Sequence, residues 1–160
     1  MKEKTKEKMG NQGEVTVTVR DARTGQIKKI TVFKNKITTL NLNDLRDYRK
    51  GDNTDGEIKY LAWGDDNTAP VAGDTSLGHE LGRKAVTSKT ATGAGVLETI
   101  VFLASYDANE SIEELGWFAG ALASATPNSG TLIARVLYSH AKTELETIQV
   151  TRTDTFSEVP

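Results

Sequence analysis

Val15, Val17 and Val19 alternate with Thr16, Thr18 and Arg20, a period of two that predicts a strand with one buried face. Asp21-Ala22-Arg23-Thr24-Gly25 carries turn chemistry, with Asp to open the turn and Gly to close it. Ile27 to Phe33 reads as a second strand, so the two make a β-hairpin, and Ile37 to Leu40 continues the pattern after Asn35. At Asn41 the period changes. Leu42, Leu45 and Tyr48 fall at i, i+3 and i+6, with an Asn or Asp available as N-cap and Gly51 as the C′ residue, which predicts a short helix over Asn41 to Lys50. After the polar loop Gly51 to Gly56, Ile58, Tyr60 and Ala62 alternate with Lys59, Leu61 and Trp63 in a strand ending at Gly64.

Asp65 to Gly73 is a long polar loop containing Pro70. Asp74-Thr75-Ser76 has the residues to cap one or two helical turns, with Leu77 and Leu81 facing the core and Arg83 following Glu80. The strand pattern resumes over Ala85 to Thr92, turns at Gly93-Ala94-Gly95 and returns as Val96 to Leu103. Ser105 to Ser111 is loop, Ile112 to Phe118 is strand, and Ala119 to Gly130 is a loop of small residues closed by Pro127-Asn128-Ser129-Gly130. Thr131 to Tyr138 and Thr143 to Phe156 complete the set. Short strands at this spacing predict an all-β, mainly antiparallel fold of β-sandwich or jelly-roll type, with one or two short helices and an extended N-terminal arm. The expected core includes Val15, Val17, Val19, Ile30, Leu61, Ile100, Phe102, Leu115, Ile133 and Val136.

Composition narrows the class further. At 160 residues the chain suits one domain, and its 21 threonines and 14 glycines favour a pleated, half-solvated surface with many turns. We divide it into a charged arm, residues 1–13, and a single sandwich domain, residues 14–160. Lys2, Lys4, Lys6 and Lys8 face only Glu3 and Glu7 in the first eight residues, so that octet carries +2 while the rest carries −4. These lysines are the candidate partner-binding residues of the arm. The net charge of −2 argues against a nucleic-acid partner. Apolar runs such as Val101-Phe102-Leu103-Ala104 fall far short of the roughly 20 residues that span a bilayer, and no signal peptide is expected. Without cysteine there is no disulfide, thiol catalysis or Cys-ligated metal.

Catalytic patterns do not assemble. His79-Glu80 is followed by Arg83 where a zinc protease needs a second His, and His140 sits in an ordinary Ser-His-Ala-Lys turn. No Gly-x-Ser-x-Gly elbow is present. Asp52, Asp55 and Glu57, and again Asp65 and Asp66, cluster as in calcium loops, but Glu57 comes too early for a bidentate last ligand, so these read as solvated turns. Gly93-Ala94-Gly95 lies between strands and reads as a hairpin turn rather than a phosphate cradle. We expect no enzyme activity and no cofactor. Trp63, Trp117 and Phe118 each end an alternating strand, which favours structural aromatics in the core or at a subunit contact. Stacking of Trp63 and Trp117 on sugars, as in a carbohydrate-binding module, is the alternative.

Two stretches carry a resemblance. One runs Tyr60-Leu61-Ala62-Trp63-Gly64-Asp65-Asp66-Asn67-Thr68-Ala69-Pro70, then Asp74-Thr75-Ser76-Leu77-Gly78-His79-Glu80 and Arg83. The other runs Ile112-Glu113-Glu114-Leu115-Gly116-Trp117-Phe118, then Gly130-Thr131-Leu132-Ile133-Ala134-Arg135. In order and spacing they resemble a pattern of tailed-bacteriophage virion structural proteins: tail-collar fibre proteins and small stand-alone proteins of the capsid decoration, or cement, type. The resemblance spans residues 14–137. Asp66 stands where glycine is common, and Leu115 and Trp117 also depart from the pattern. The resemblance implies a protein of the virion, capsid surface favoured over tail, made in the bacterial cytoplasm. It would bind a shell of major capsid protein, as a homo-oligomer with a trimer favoured. A tail, baseplate or fibre-attachment protein is the alternative. Glu80 and Arg83 then read as a structural ion pair holding residues 74–84 on the sheet, with Glu114 as a second candidate partner for Arg83.

Overall fold

The alternating segments close into strands, in chain order β1 (Lys8–Asp21), β2 (Ile27–Lys34), β3 (Lys36–Ile37), β4 (Ile58–Gly64), β5 (Glu80–Ala85), β6 (Ser88–Gly93), β7 (Val96–Leu103), β8 (Ser111–Ala119), β9 (Thr131–Ala141) and β10 (Glu146–Val159). The helix α1 (Thr39–Lys50) follows β3 and is the one α-helix among the described residues. The structure is a computed structural model that describes residues 8–159, and the side chains of residues 13–157. One five-stranded sheet has the order β2-β1-β10-β7-β6, the other β3-β9-β8-β4-β5, and every pairing is antiparallel. The fold is therefore an all-β sandwich.

Between the sheets lies one core. Val15, Val17 and Val19 of β1 and Ile148 and Val150 of β10 meet Leu61 and Trp63 of β4, Leu115 and Trp117 of β8, and Ala134 and Val136 of β9. The expected core needs three changes. Ile30 is 55% exposed and Phe102 is 41% exposed, while Ile100 is only partly buried. In β7 the inward residues are Val101 and Leu103, which stand opposite Val150 and Ile148 of β10. In β2, pairing with β1 sets Ile30 opposite Thr18 and Val32 opposite Thr16, on the outer face.

Three local expectations also change. The segment Lys8 to Gly13, assigned to the arm, is strand: β1 pairs with β10 along its whole length, from Lys8 opposite Val159 to Asp21 opposite Glu146. Lys2, Lys4 and Lys6 lie outside the described residues. Helix α1 starts earlier than its apolar period suggests, because Thr38 is the N-cap and accepts the Asn41 N–H. Gly51 closes it in the left-handed region at φ 90°. Residues 74–79 form no helix, and Glu80, Leu81 and Arg83 belong to β5. Asp74 does not cap a helix: its carboxylate accepts the Val71 N–H at 3.0 Å.

Candidate interaction surface on the outer face of the second sheet

A strand contributes alternate residues to opposite faces, so the neighbours of the core-facing Trp63, Leu115 and Trp117 point away from the core. Cross-strand pairing aligns four of these outward residues, Arg83, Ala62, Gly116 and Arg135, in one row across β5, β4, β8 and β9. The face is not solvated. Ala62, Phe118 and Leu132 form a second buried cluster there with Leu77 and Ala123, which arrive from the loops 65–79 and 120–130. The row thus has an arginine at each end and small residues between, and a loop closes over each end.

Arg83 holds the 120–130 loop. Its Nε donates to Glu80 Oε1 at 2.6 Å and its Nη2 to Glu80 Oε2 at 2.8 Å, a bidentate pair whose side chains are 2% and 1% exposed. Its Nη1 donates to the carbonyls of Ser124 and Ser129, each at 3.0 Å. Glu80 completes the clamp by accepting the N–H of Asn128 at 2.8 Å. Beneath, the guanidinium carbon lies 4.3 Å from the centre of the Phe118 ring.

Arg135 holds the 65–79 loop in the same manner. Its Nε donates to Glu114 Oε2 at 2.7 Å, its Nη1 to Asp74 at 3.2 Å and its Nη2 to Asp66 at 3.3 Å. Glu114 is fully buried and also accepts the N–H groups of Gly78 and His79, at 3.0 and 2.9 Å. Burial opposes the charge on Arg135, yet the bonds to Glu114 and Asp74 outweigh it and raise its pKa above the ordinary value. The Thr68 N–H, the Thr68 hydroxyl and the Arg135 charge together hold the Asp66 carboxyl below the usual range. Leu77 then seats over Gly116, where an added Cβ would lie 2.6 Å from Leu77 Cδ2.

The residues singled out in the sequence fall as follows. Glu80 and Arg83 pair with each other. Glu114 does not pair with Arg83 and takes Arg135 instead. Trp63 donates its indole N–H to Glu110 at 2.6 Å and is 6% exposed, Trp117 is fully buried in the core, and Phe118 lies under Arg83. Neither indole has a free face for a sugar. His79 Nδ1 lies 2.6 Å from Asp65, and His140 Nε2 lies 2.9 Å from Glu146. Lys8 opens β1.

Arg135, Asp66 and Asp74 were missed as a unit. The available signal was an arginine inside the apolar run Leu132-Ile133-Ala134-Arg135-Val136-Leu137, since a charge placed there needs carboxylate partners. Among the described residues no three His, Cys, Asp or Glu side chains gather to hold a metal ion, and no helix is long and apolar enough to cross a membrane. The chain matches no family model, no curated protein and no solved structure.

Proposed function

We propose that the chain is a non-enzymatic structural protein of a tailed-bacteriophage virion, a capsid decoration protein that docks as a homo-oligomer, a trimer favoured, on an assembled shell of major capsid protein. One observation carries the reading: the residues of the virion-like pattern build the two arginine clamps, and the clamps fix two loops that present apolar side chains to solvent. Val71 is 56% exposed and Leu122 is 83% exposed. A loop held rigid in its free state loses little entropy on docking, and exposed apolar residues on such a loop suit a protein partner. The lysines of the N-terminal octet add attraction for an acidic surface. That attraction is screened by salt, so removing residues 1–7 weakens shell binding most at low ionic strength.

A cryo-EM map of the virion of the encoding phage tests the reading, beside co-sedimentation of the purified chain with shells that lack it and with isolated tails. Sandwich density on the shell, and shell binding weakened by Val71→Ser and Leu122→Ser, are expected. Density at the tail or baseplate replaces the capsid assignment with a fibre-attachment role. Absence from the particle refutes both.

A further inference from the structure

The first sheet has one face in the core and one that no described residue covers, because α1 and the loops 65–79 and 120–130 pack on the second sheet. Cross-strand pairing orders its outward residues in rows across β2, β1, β10, β7 and β6. One row holds Val32, Thr16, Thr151, Ile100 and Ser88, and the next holds Ile30, Thr18, Gln149 and Phe102. Neither row has an ionisable group, although 26% of the chain is charged. Val32, Ile30 and Phe102 are exposed there. Charges begin only in the flanking rows, with Lys34, Glu14 and Glu98 on one side and Arg20 on the other. An uncharged centre with a charged rim is the anatomy of a protein–protein interface. Five strands about 4.8 Å apart and four rows about 6.8 Å apart give a face of about 24 by 27 Å. Side-chain relief brings such a face near the roughly 800 Å² per partner of a stable complex.

The arrangement selects a second copy of the same chain. Two identical sheet faces can meet about a two-fold axis that lies along the strands or across them. An axis along β10 sets Glu14 of β1 against Glu98 of the second copy, so like charges meet, and it lays the apolar strip of β2 on the polar β6. An axis across the strands, midway between the two central rows, lays each strand on its own counterpart instead. Val32 then meets Ile30, Ile100 meets Phe102, Thr16 meets Thr18 and Glu14 meets Arg20, each pair formed twice. Threonine hydroxyls both donate and accept, so the middle strips satisfy one another. The match is strip on strip, and the angle of about 30° usual between packed sheets preserves it. Among the described residues Glu14 has no ion-pair partner and Arg20 bonds only the Gly25 carbonyl, at 3.2 Å. We propose that the outer face of the first sheet is a self-association surface on which a second copy packs about a two-fold axis across the strands. The pairing does not rest on the virion reading. Val71 and Leu122 lie on loops over the other sheet and stay exposed, and a dimer would replace only the trimer favoured there.

Sedimentation velocity of the full chain between about 1 and 200 µM tests it, with a concentration-dependent species of twice the chain mass expected. Thr151→Lys, which sets a charge in the dry centre, should weaken association about a hundredfold. Arg20→Glu and Glu14→Arg should each weaken it about tenfold by setting like charges together, and the double variant should return it to within about threefold of the wild type. Within one chain these two residues stand about 20 Å apart along β1, so the rescue can come only from pairing between copies. Far-UV circular dichroism selects the folded variants, and the charge exchange stands as the test if Thr151→Lys does not fold. The proposal is overturned by a monomer or a trimer across the range, by a dimer that folded Thr151→Lys leaves intact, or by charge reversals that change nothing singly or are not rescued together.

Discussion

Arg135 and Glu114 meet where water does not reach, with side chains 4% and 0% exposed. Removing one partner of such a pair strands the other charge, so Arg135→Met should cost about 3–5 kcal/mol in urea unfolding. A double-mutant cycle should find strong coupling between Arg135 and Glu114 and between Arg83 and Glu80, and none between Arg83 and Glu114; coupling in that last cycle would contradict the clamps as drawn. The aspartates divide by environment in a way that pH reveals. Asp66 has a lowered pKa, so its native form binds fewer protons than the unfolded chain; its contribution is present above the ordinary 3.8 and is lost as pH falls through the lower folded value. Asp44 has the opposite sign: burial raises its pKa, with Asp47 adding to the shift and the Thr131 hydrogen bond opposing it. Its charged form opposes folding above that raised value, and the penalty fades as pH falls through it. Carboxyl NMR titration should give Asp66 a midpoint below 3.8 and Asp44 one above it. Asp44→Asn should then stabilise the protein at neutral pH and Asp66→Asn destabilise it, and the reverse order in urea unfolding would remove the electrostatic account.

Elements show where pattern reading succeeds and where it stops. β1 was legible because Val15, Val17 and Val19 stand among polar residues, so the inward face is unambiguous. β7 was not, because Ile100-Val101-Phe102-Leu103 is apolar on both faces. Its phase is set by Val150 and Ile148 across the ladder, a non-local fact. For Ile30 the apolar residue lies outward because its register follows the valines of β1. Residues 74–84 misled for another reason: the Asp-Thr-Ser opening suits a helix cap, but Asp74 serves Val71 and Arg135, and Gly82 is needed where the Trp63 ring passes 2.6 Å from any added Cβ. The Glu80–Arg83 proximity was legible from local spacing, whereas Arg135 to Asp66 spans most of the second sheet and depends on topology. The same packing makes a prediction about Gly116. Gly116→Ala pushes on Leu77 and Leu132 and should cost about 1–3 kcal/mol, with faster proteolysis in the 65–79 loop. Leu77→Ala in the same chain frees that space, so the two losses should sum to less than their separate values; full additivity would mean that Leu77 does not seat on Gly116.

At the scale of the whole molecule, the first and last strands are neighbours, and β10 lies inside the first sheet between β1 and β7. The sandwich therefore cannot close until both ends of the chain are present, and folding has to bring together residues as far apart as Lys8 and Val159. Contacts of that sequence separation are slow to form, so refolding is expected in milliseconds to seconds, as for other all-β sandwiches. The adjacency also makes the chain a good subject for circular permutation. Joining Pro160 to Met1 keeps β1 and β10 in register, and the position of the new break then reads out what each loop contributes. A break between Asn53 and Thr54, in the polar loop after α1, interrupts neither the 65–79 nor the 120–130 loop that Arg135 and Arg83 hold, and should leave stability within about 1 kcal/mol. A break between Ala125 and Thr126 parts Ser124 from Ser129, the two residues whose carbonyls hold Arg83 Nη1. Hydrogen bonds from a charged donor contribute about 1.5–3 kcal/mol, so that permutant should be the less stable by such an amount and should lose the fixed presentation of Leu122. Its weakened binding to the shell would then accompany an intact β-sheet circular dichroism spectrum. Equal urea midpoints for the two permutants would show that the Arg83 clamp does not hold the loop, and the rigid-loop basis of the docking proposal would fall with it.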